Sequence, residues 1–306
     1  MTEFDGLSEH LFPLLEAQGL QPAELRLFRP ISDLLDNPIK LSIHDSSGHC
    51  NGILQWSPPG AVHAVADAVR RAEAARRKLG DSLGDVVLAA SLEGEFLSRS
   101  FAMFPLQRTL SERRVLSRLH GWICAPSVLG WLNQVHLQAF APLAESEYGT
   151  RVISPLGQMR DTPGLSGSLP AAIEDALAAV ESGRFTPWVG PIHNDLWRGN
   201  ILLPRHSSDR PSSGRRFLLI DWGASTLSGF PLWDLLRALR SLQIPDRWAR
   251  RILRRECGAL GMSLEDGQRS LLLALADLGV NRNEFPLDLY LQAAAEYHAY
   301  FEHLAS

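Results

Sequence analysis

The stretch Pro191-Ile192-His193-Asn194-Asp195-Leu196-Trp197-Arg198-Gly199-Asn200-Ile201-Leu202-Leu203 decides the reading of this chain, together with Phe217-Leu218-Leu219-Ile220-Asp221-Trp222-Gly223 downstream. In the first, Asp195 and Asn200 bracket a short polar loop between two apolar runs. In the second, Asp221 closes an apolar run of the kind that fills a buried strand, and Gly223 lets the backbone turn sharply after it. Residues 204–216 between them are polar and read as an exposed hairpin tip. Two strands so joined bring Asn200 and Asp221 together. An amide oxygen and a carboxylate at adjacent strand ends suit a hard cation such as Mg²⁺. Asp195, across the loop, is then placed to orient an acceptor hydroxyl and take its proton. That is the division of labour of phosphoryl transfer, where positioning and charge neutralisation supply most of the catalysis.

Taken singly, these residues have plainer readings. Asp221 suits a turn cap, Asp234 suits a helix N-terminus through the dipole, and His193 suits a hydrogen-bonding brace. The joint spacing selects the catalytic reading. The pattern HxDxxxxN, an apolar strand and then DxG resembles the active-site pair of the aminoglycoside phosphotransferase and choline kinase group, relatives of the protein kinases. Gly229-Phe230-Pro231-Leu232-Trp233-Asp234-Leu235 resembles the GxPxxDL helix start that follows the metal aspartate in that group. The resemblance is specific over residues 190–236 and topological over residues 24–106. It implies a bilobal α+β protein-kinase-like fold, ATP as phosphoryl donor and Mg²⁺ as cofactor. By the same resemblance Asp195 is the catalytic base, Asn200 and Asp221 hold the metal, and His193 and Asp234 brace the loop.

Working outward, the rest of the chain is compatible. At about 150 residues per domain, 306 residues make two domains or one bilobal unit. With 45% apolar and 21% charged residues the composition is that of a globular protein. A net charge of −4 argues against a strongly basic nucleic-acid binder. No run of about 18 apolar residues suggests a membrane-spanning helix. The N-terminus begins acidic and builds no secretory signal pattern. Cys50, Cys124 and Cys257 are too dispersed for a disulfide framework or metal knuckle, so a cytoplasmic location is expected.

Residues 7–18 carry apolar positions at helical spacing. Strand-like runs follow at 24–31, 38–44 and 52–56, then a long helix at 61–79 ending near Gly80, then strands at 85–90 and 95–104. A small sheet with a helix laid across it forms the first lobe, residues 1–106, assigned to the nucleotide. Residues 107–306 form the second lobe, assigned to catalysis and acceptor binding. In it we expect two helices broken at Pro126, an irregular connection over 141–170, a helix at 171–182 and four helical stretches after Leu232.

The first lobe departs from the kinase pattern. The third-strand position that usually carries the phosphate-binding lysine is Gln55, and its expected helix partner is Glu73. The sequence has two lysines, Lys40 and Lys78. Lys40, on the neighbouring strand, is the reasonable substitute, against its plain reading as a solvent-facing strand residue. The loop over residues 29–37 holds no glycine, and Ser32 and Asn37 are its phosphate donors of choice. A hinge at 101–106 would read adenine, with Met103, Phe104 and Leu106 lining an apolar slot or forming plain core.

For the acceptor, a small molecule with a hydroxyl such as a sugar, aminoglycoside-like compound or amino alcohol, Trp197 offers a stacking face. Arg198 offers charge for the migrating phosphoryl group. Arg247, Arg250, Arg251, Arg254 and Arg255 form a basic stripe on one helix, which reads as a solvated face or as a contact for an anionic acceptor or surface. Two rival readings stand beside this one. A protein kinase is disfavoured because no long activation segment separates Asp221 from Pro231. A pseudokinase scaffold is favoured by Gln55 and the missing glycines and disfavoured by the intact Asp195, Asn200 and Asp221.

Overall fold

The computed structural model describes residues 3–31, 37–110, 114–282 and 286–306, so Ser32 lies outside the described residues. Alternation along the strands builds the small lobe. Helix α1 (Glu3–Glu16) leads into β1 (Pro22–Leu27), β2 (Ile39–Asp45) and β3 (Cys50–Trp56). Helix α2 (Ala64–Gly84), β4 (Leu92–Phe96) and β5 (Arg99–Pro105) follow. The five strands form one antiparallel sheet in the order β1-β2-β3-β5-β4. Leu41, Leu54 and Met103 share one face and are buried under Leu7, Leu11 and Leu15 of α1. Ala102, on the opposite face, packs with Val65 and Val69 of α2.

Helix α2 has no side-chain cap of its own. Ser57 and Ser100 replace it: their hydroxyls lie 2.7 Å apart and accept the N–H groups of Val65 and Ala66 at 3.0 and 3.1 Å. Caps from the residue after β3 and from β5 therefore dock the helix on the sheet while satisfying two of its orphan donors. At Gly80 the backbone turns to φ 70°, where the sequence predicts the helix to stop, yet the helix is resumed as far as Gly84.

Two strand expectations need correction. Residues 85–90 do not join the five-stranded sheet. They run beside residue 219 of the large lobe, with Leu88 N–H donating to Leu219 O at 3.0 Å and Leu219 N–H to Val86 O at 2.7 Å. The run at 95–104 is instead the hairpin β4–β5, whose two-residue turn is Leu97-Ser98 at φ 51° and 58°. Such turns ordinarily recruit Asn or Gly, so the sequence carries no turn signal there.

The large lobe continues through β6 (Arg108–Thr109), α3 (Arg114–Ala139), β7 (Ala141–Pro142), α4 (Ser154–Arg160), α5 (Leu169–Glu181) and β8 (Trp188–Ile192). Strands β9 (Ile201–Leu203), β10 (Leu218–Leu219) and β11 (Thr226–Gly229) precede α6 (Trp233–Ser241), α7 (Asp246–Ala259), α8 (Leu264–Val280) and α9 (Leu287–Ala305). The last four are the helical stretches expected after Leu232. Helix α3 runs unbroken through Pro126. Burial of Cys124, Ala125, Val128 and Leu129 around the proline outweighs its cost of about 3 kcal/mol in a helix interior. The supposedly irregular 141–170 contains a π-helical turn (Gly149–Ile153) and α4, packed against α8 through buried Val152, Leu156 and Met159. Among the described residues no helix is long and apolar enough to cross a membrane.

Candidate active site

Two small strand pairs assemble the floor of the cleft. Strand β9 pairs with β10 in the register Leu202↔Leu218 and Ile201↔Leu219. The Ile220 N–H then donates to Asn200 O at 3.1 Å, so Asp221 follows directly beside Asn200. The Asn200 amide donates to both the backbone oxygen and Oδ2 of Asp195, each at 2.9 Å, which leaves Oδ1 as its acceptor atom. Asn200 is buried, while Asp195 and Asp221 reach the cleft.

His193 is held on every side. Its Nε2 lies 2.9 Å from Ile220 O, its Nδ1 3.3 Å from the Asp195 N–H, and its ring 4.6 Å from that of Trp222. A ring that donates through Nε2 and accepts through Nδ1 clamps the second segment onto the first. Its backbone N–H donates to Asp234 Oδ2 at 2.6 Å. Burial pushes the Asp234 carboxyl above the usual carboxylate range, opposed by His193 and Arg237. The neighbouring Trp233 indole N–H donates to Asn194 O at 3.0 Å, tying the start of α6 to the same loop. Asn194, Asp221 and Leu232 all adopt left-handed backbone, at φ 66°, 65° and 74°. Each such residue costs on the order of 1 kcal/mol, and strain of this kind gathers where the surroundings over-determine a functional geometry.

Above this floor lies a cleft of about 510 Å³. Lys40, Ile53 and Gln55 form its roof, Val65, Ala68, Val69 and Ala72 of α2 its back, and Phe104 to Gln107 its hinge side. Asp195, Trp197, Arg198, Asn200 and Asp221 form the floor. Lys40 and Gln55 are direct cross-strand partners and share the cleft-facing side of the sheet. Lys40 Nζ lies 3.7 Å from Asp221 Oδ2. Asn37 does not line this cleft.

Two expected nucleotide residues are elsewhere. Met103 pairs with Leu54 and points with it into the α1 side of the sheet, while Phe104 pairs with Ile53 and faces the cleft. Strand parity forces that division, because successive side chains alternate faces. Glu73 is exposed and lines, with Glu93, a small cavity of about 60 Å³ that adjoins the back of the cleft through Val69, Ala72, Leu88 and Phe104. Burial, and then the Glu73 charge, raises the Glu93 carboxyl above its ordinary range. The carboxylate beside Lys40 is therefore Asp221 and not Glu73.

Trp197 and Arg198 stand at the cleft mouth beside Asp195. The Trp197 ring lies against Gly199 so closely that a Cβ there would come within 2.4 Å of it, and the Arg198 N–H donates to Ser241 Oγ at 3.1 Å. The sequence reading missed Arg237, which ion-pairs with Asp195 Oδ1. One signal was present: Arg237 follows Asp234 by three residues on α6, which places both on the loop-facing side of that helix. It also missed Gln107, whose side-chain oxygen accepts the Arg205 N–H at 2.8 Å and anchors the hairpin tip to the hinge.

No protein-family profile matches the sequence, and no curated protein matches it. The fold, by contrast, is similar to solved structures over the whole chain. One is a thermostable mutant of aminoglycoside phosphotransferase APH(4)-Ia in a ternary complex with ADP and hygromycin B. It is 14% identical with a TM-score of 0.57, covering 100% of this chain and 98% of that one. A choline/ethanolamine kinase family protein from Mesorhizobium loti is 14% identical with a TM-score of 0.53, covering 98% and 94%. Choline kinase LicA from Streptococcus pneumoniae is 12% identical with a TM-score of 0.50, covering 97% and 99%. The chain thus has the bilobal kinase-like fold of aminoglycoside phosphotransferases and choline kinases.

Proposed function

We propose that this protein is a small-molecule kinase that moves the γ-phosphoryl group of ATP onto a hydroxyl of a sugar, aminoglycoside-like or amino-alcohol acceptor. One observation carries the reading: Asp195, Asn200, Asp221 and Lys40, from three separate parts of the sequence, converge on one cleft between the lobes. The similar structure holding ADP and hygromycin B supports it. The apolar back of the cleft and Phe104 accept a base, with the lobe of residues 1–106 binding nucleotide and residues 107–306 presenting the acceptor.

Asn200 Oδ1 and the Asp221 carboxylate suit Mg²⁺, which takes one or two protein oxygens and fills its remaining positions with phosphate and water. When bound, the ion supplies neutralisation of phosphate charge. Lys40 adds a second positive charge beside Asp221. Asp195 receives the acceptor hydroxyl: its Oδ2 is fixed by Asn200 and its Oδ1 by Arg237. So held, the carboxylate contributes mainly by orienting the hydroxyl for in-line attack, taking the proton late. Arg198 lies where it can meet charge on the transferred group. Free Cys50, Cys124 and Cys257, together with a nucleotide substrate, fit a reducing cytoplasm.

The test is turnover of Mg-ATP over a panel of sugars, amino alcohols, aminoglycosides and peptides. An acceptor-dependent release of ADP is expected, falling on the order of 10²- to 10⁴-fold in Asp195→Asn. Full transfer by that variant would remove Asp195 from its role. Phosphate appearing on peptides alone would make the chain a protein kinase. Nucleotide binding without turnover on any acceptor would favour the scaffold reading.

A further inference from the structure

Helices α3 and α7 meet in a second concavity that shares no lining residue with the cleft. It is a groove of about 530 Å³ floored by Pro126, Leu129, Ile244 and Ile252, with Trp122 and Trp248 on its walls. The apolar surface does not stop at the groove. Trp122 and Trp248 on its walls are 51% and 49% exposed, and Ile123, next to Trp122 on α3, is 68% exposed, large side chains that a monomer seldom leaves to water together.

Guanidinium groups surround it. Arg247 and Arg255 line the groove, and Arg247 and Arg251 each sit 5.7 Å from the Trp248 ring centroid. The acids of α7 offset only one of them: Arg255 pairs with Glu256, and the basic character of the face rests on Arg247 and Arg251. Glu256 is fully buried between His136 and Arg255, and Asp246 pairs with His303 at 2.8 Å. On a chain with a net charge of −4, this is a segregated basic, aromatic island.

We propose that this face docks on an anionic lipid bilayer. Its chemistry is that of an interfacial element: indole rings and an isoleucine at headgroup depth, with arginine stems lying along apolar surface and their heads meeting lipid phosphates. A second copy of the chain fits poorly, since two such faces would oppose guanidinium to guanidinium. An acidic protein segment would satisfy the arginines, but it would need only the floor of the groove. Here the apolar side chains stand out beyond it, Ile123 most of all. The inference goes beyond the kinase reading and is tested without turnover.

The experiment is flotation of the purified full chain with vesicles of phosphatidylcholine alone and of phosphatidylcholine doped with phosphatidylglycerol. Binding to the anionic vesicles alone, released by salt, is expected. Reversing two charges with Arg247→Glu and Arg251→Glu should weaken it on the order of tenfold or more, at unchanged melting temperature. Trp248→Ala and Trp122→Ala should weaken it severalfold with every charge retained. No binding to anionic vesicles at low salt, or undiminished binding by the charge-reversed variant, overturns the proposal. So does soluble polyglutamate bound as tightly as vesicles with Trp248→Ala without effect, which assigns the face to an acidic protein segment.

Discussion

The floor and the roof of the cleft are built in different ways. On the floor, each polar group is over-determined. Asp195 is held by Asn200 and Arg237, and His193 by Ile220, Asp195 and Asp234, while Asn194 and Asp221 are kept in left-handed backbone. On the roof, Lys40 and Gln55 owe their direction to strand alternation and the β2–β3 register, with one ion pair from Lys40 to Asp221 added. Position on the floor is set by a network of side-chain hydrogen bonds that ties the 193–200 loop to Ile220, Asp234 and Arg237. Position on the roof is set by the pairing of strands. Substitutions on the floor should therefore remove activity, whereas those on the roof should be open to exchange.

The largest effect expected is on the floor. Asp221→Ala removes a proposed metal ligand and the partner of Lys40, and should lower kcat on the order of 10³-fold in a coupled ADP-release assay. Near-native turnover by that variant would show that the floor's rigidity serves packing and not catalysis.

On the roof, Lys40→Ala should raise the KM for ATP roughly tenfold, the equivalent of about 1.4 kcal/mol of phosphate binding. Because Lys40 and Gln55 face each other across the pair, with Cβ atoms about 5 Å apart as in any such pair, the exchange Lys40→Gln with Gln55→Lys should recover most of that loss. No exchange of this kind is expected between Asp195 and Asn200. A double variant no better than Lys40→Ala would mean that the roof is as exacting as the floor.

The same contrast explains what was legible in the sequence. His193, Asp195, Asn200, Asp221 and Asp234 were legible because each stands at a fixed spacing within one of three short segments. The roof needed register. Once Gln55 is placed on the cleft face, the pairing Gln55↔Ala102 puts Phe104 in the cleft and Met103 away from it, but nothing in the sequence states that pairing. Arg237 escaped because its partner Asp195 lies 42 residues away, and its spacing from Asp234 alone does not reveal that pairing. The hairpin turn at Leu97-Ser98 escaped because neither residue is a turn former. Helix α4 escaped because Pro155 and Gly157 masked its buried Leu156 and Met159.

Met103 and Phe104 are adjacent residues on opposite faces of the sheet. Met103→Ala should destabilise the protein by about 2–5 kcal/mol in urea unfolding, the cost of a buried methionine lost from under α1. Its KM for ATP should change little. Phe104→Ala should raise that KM severalfold with the smaller stability loss of a half-buried residue. If both substitutions moved KM equally, strand parity would not divide core from cleft at the hinge.

The smallest effect is expected at the residue that kinase analogy would rank among the most important. A helix glutamate ordinarily orients the phosphate-binding lysine, so removing it is costly. Here Lys40 enters from β2, one strand over from the usual position, and its nearest carboxylate is Asp221 at 3.7 Å. The face that α2 turns to the cleft is apolar, made of Val65, Ala68, Val69 and Ala72, and Glu73 looks out beside Glu93. Moving the lysine by one strand thus removes the need for a helix acid and lets the floor aspartate orient it. Glu73→Ala should change kcat and the KM for ATP by less than about twofold, as surface substitutions away from such features generally do. It should also let the Glu93 carboxyl ionise more readily, because one of the two causes that raise it is gone. A tenfold loss of turnover in Glu73→Ala, about 1.4 kcal/mol of barrier, would mean that α2 swings Glu73 into the cleft when nucleotide binds, and that the roof, like the floor, acquires its own carboxylate brace.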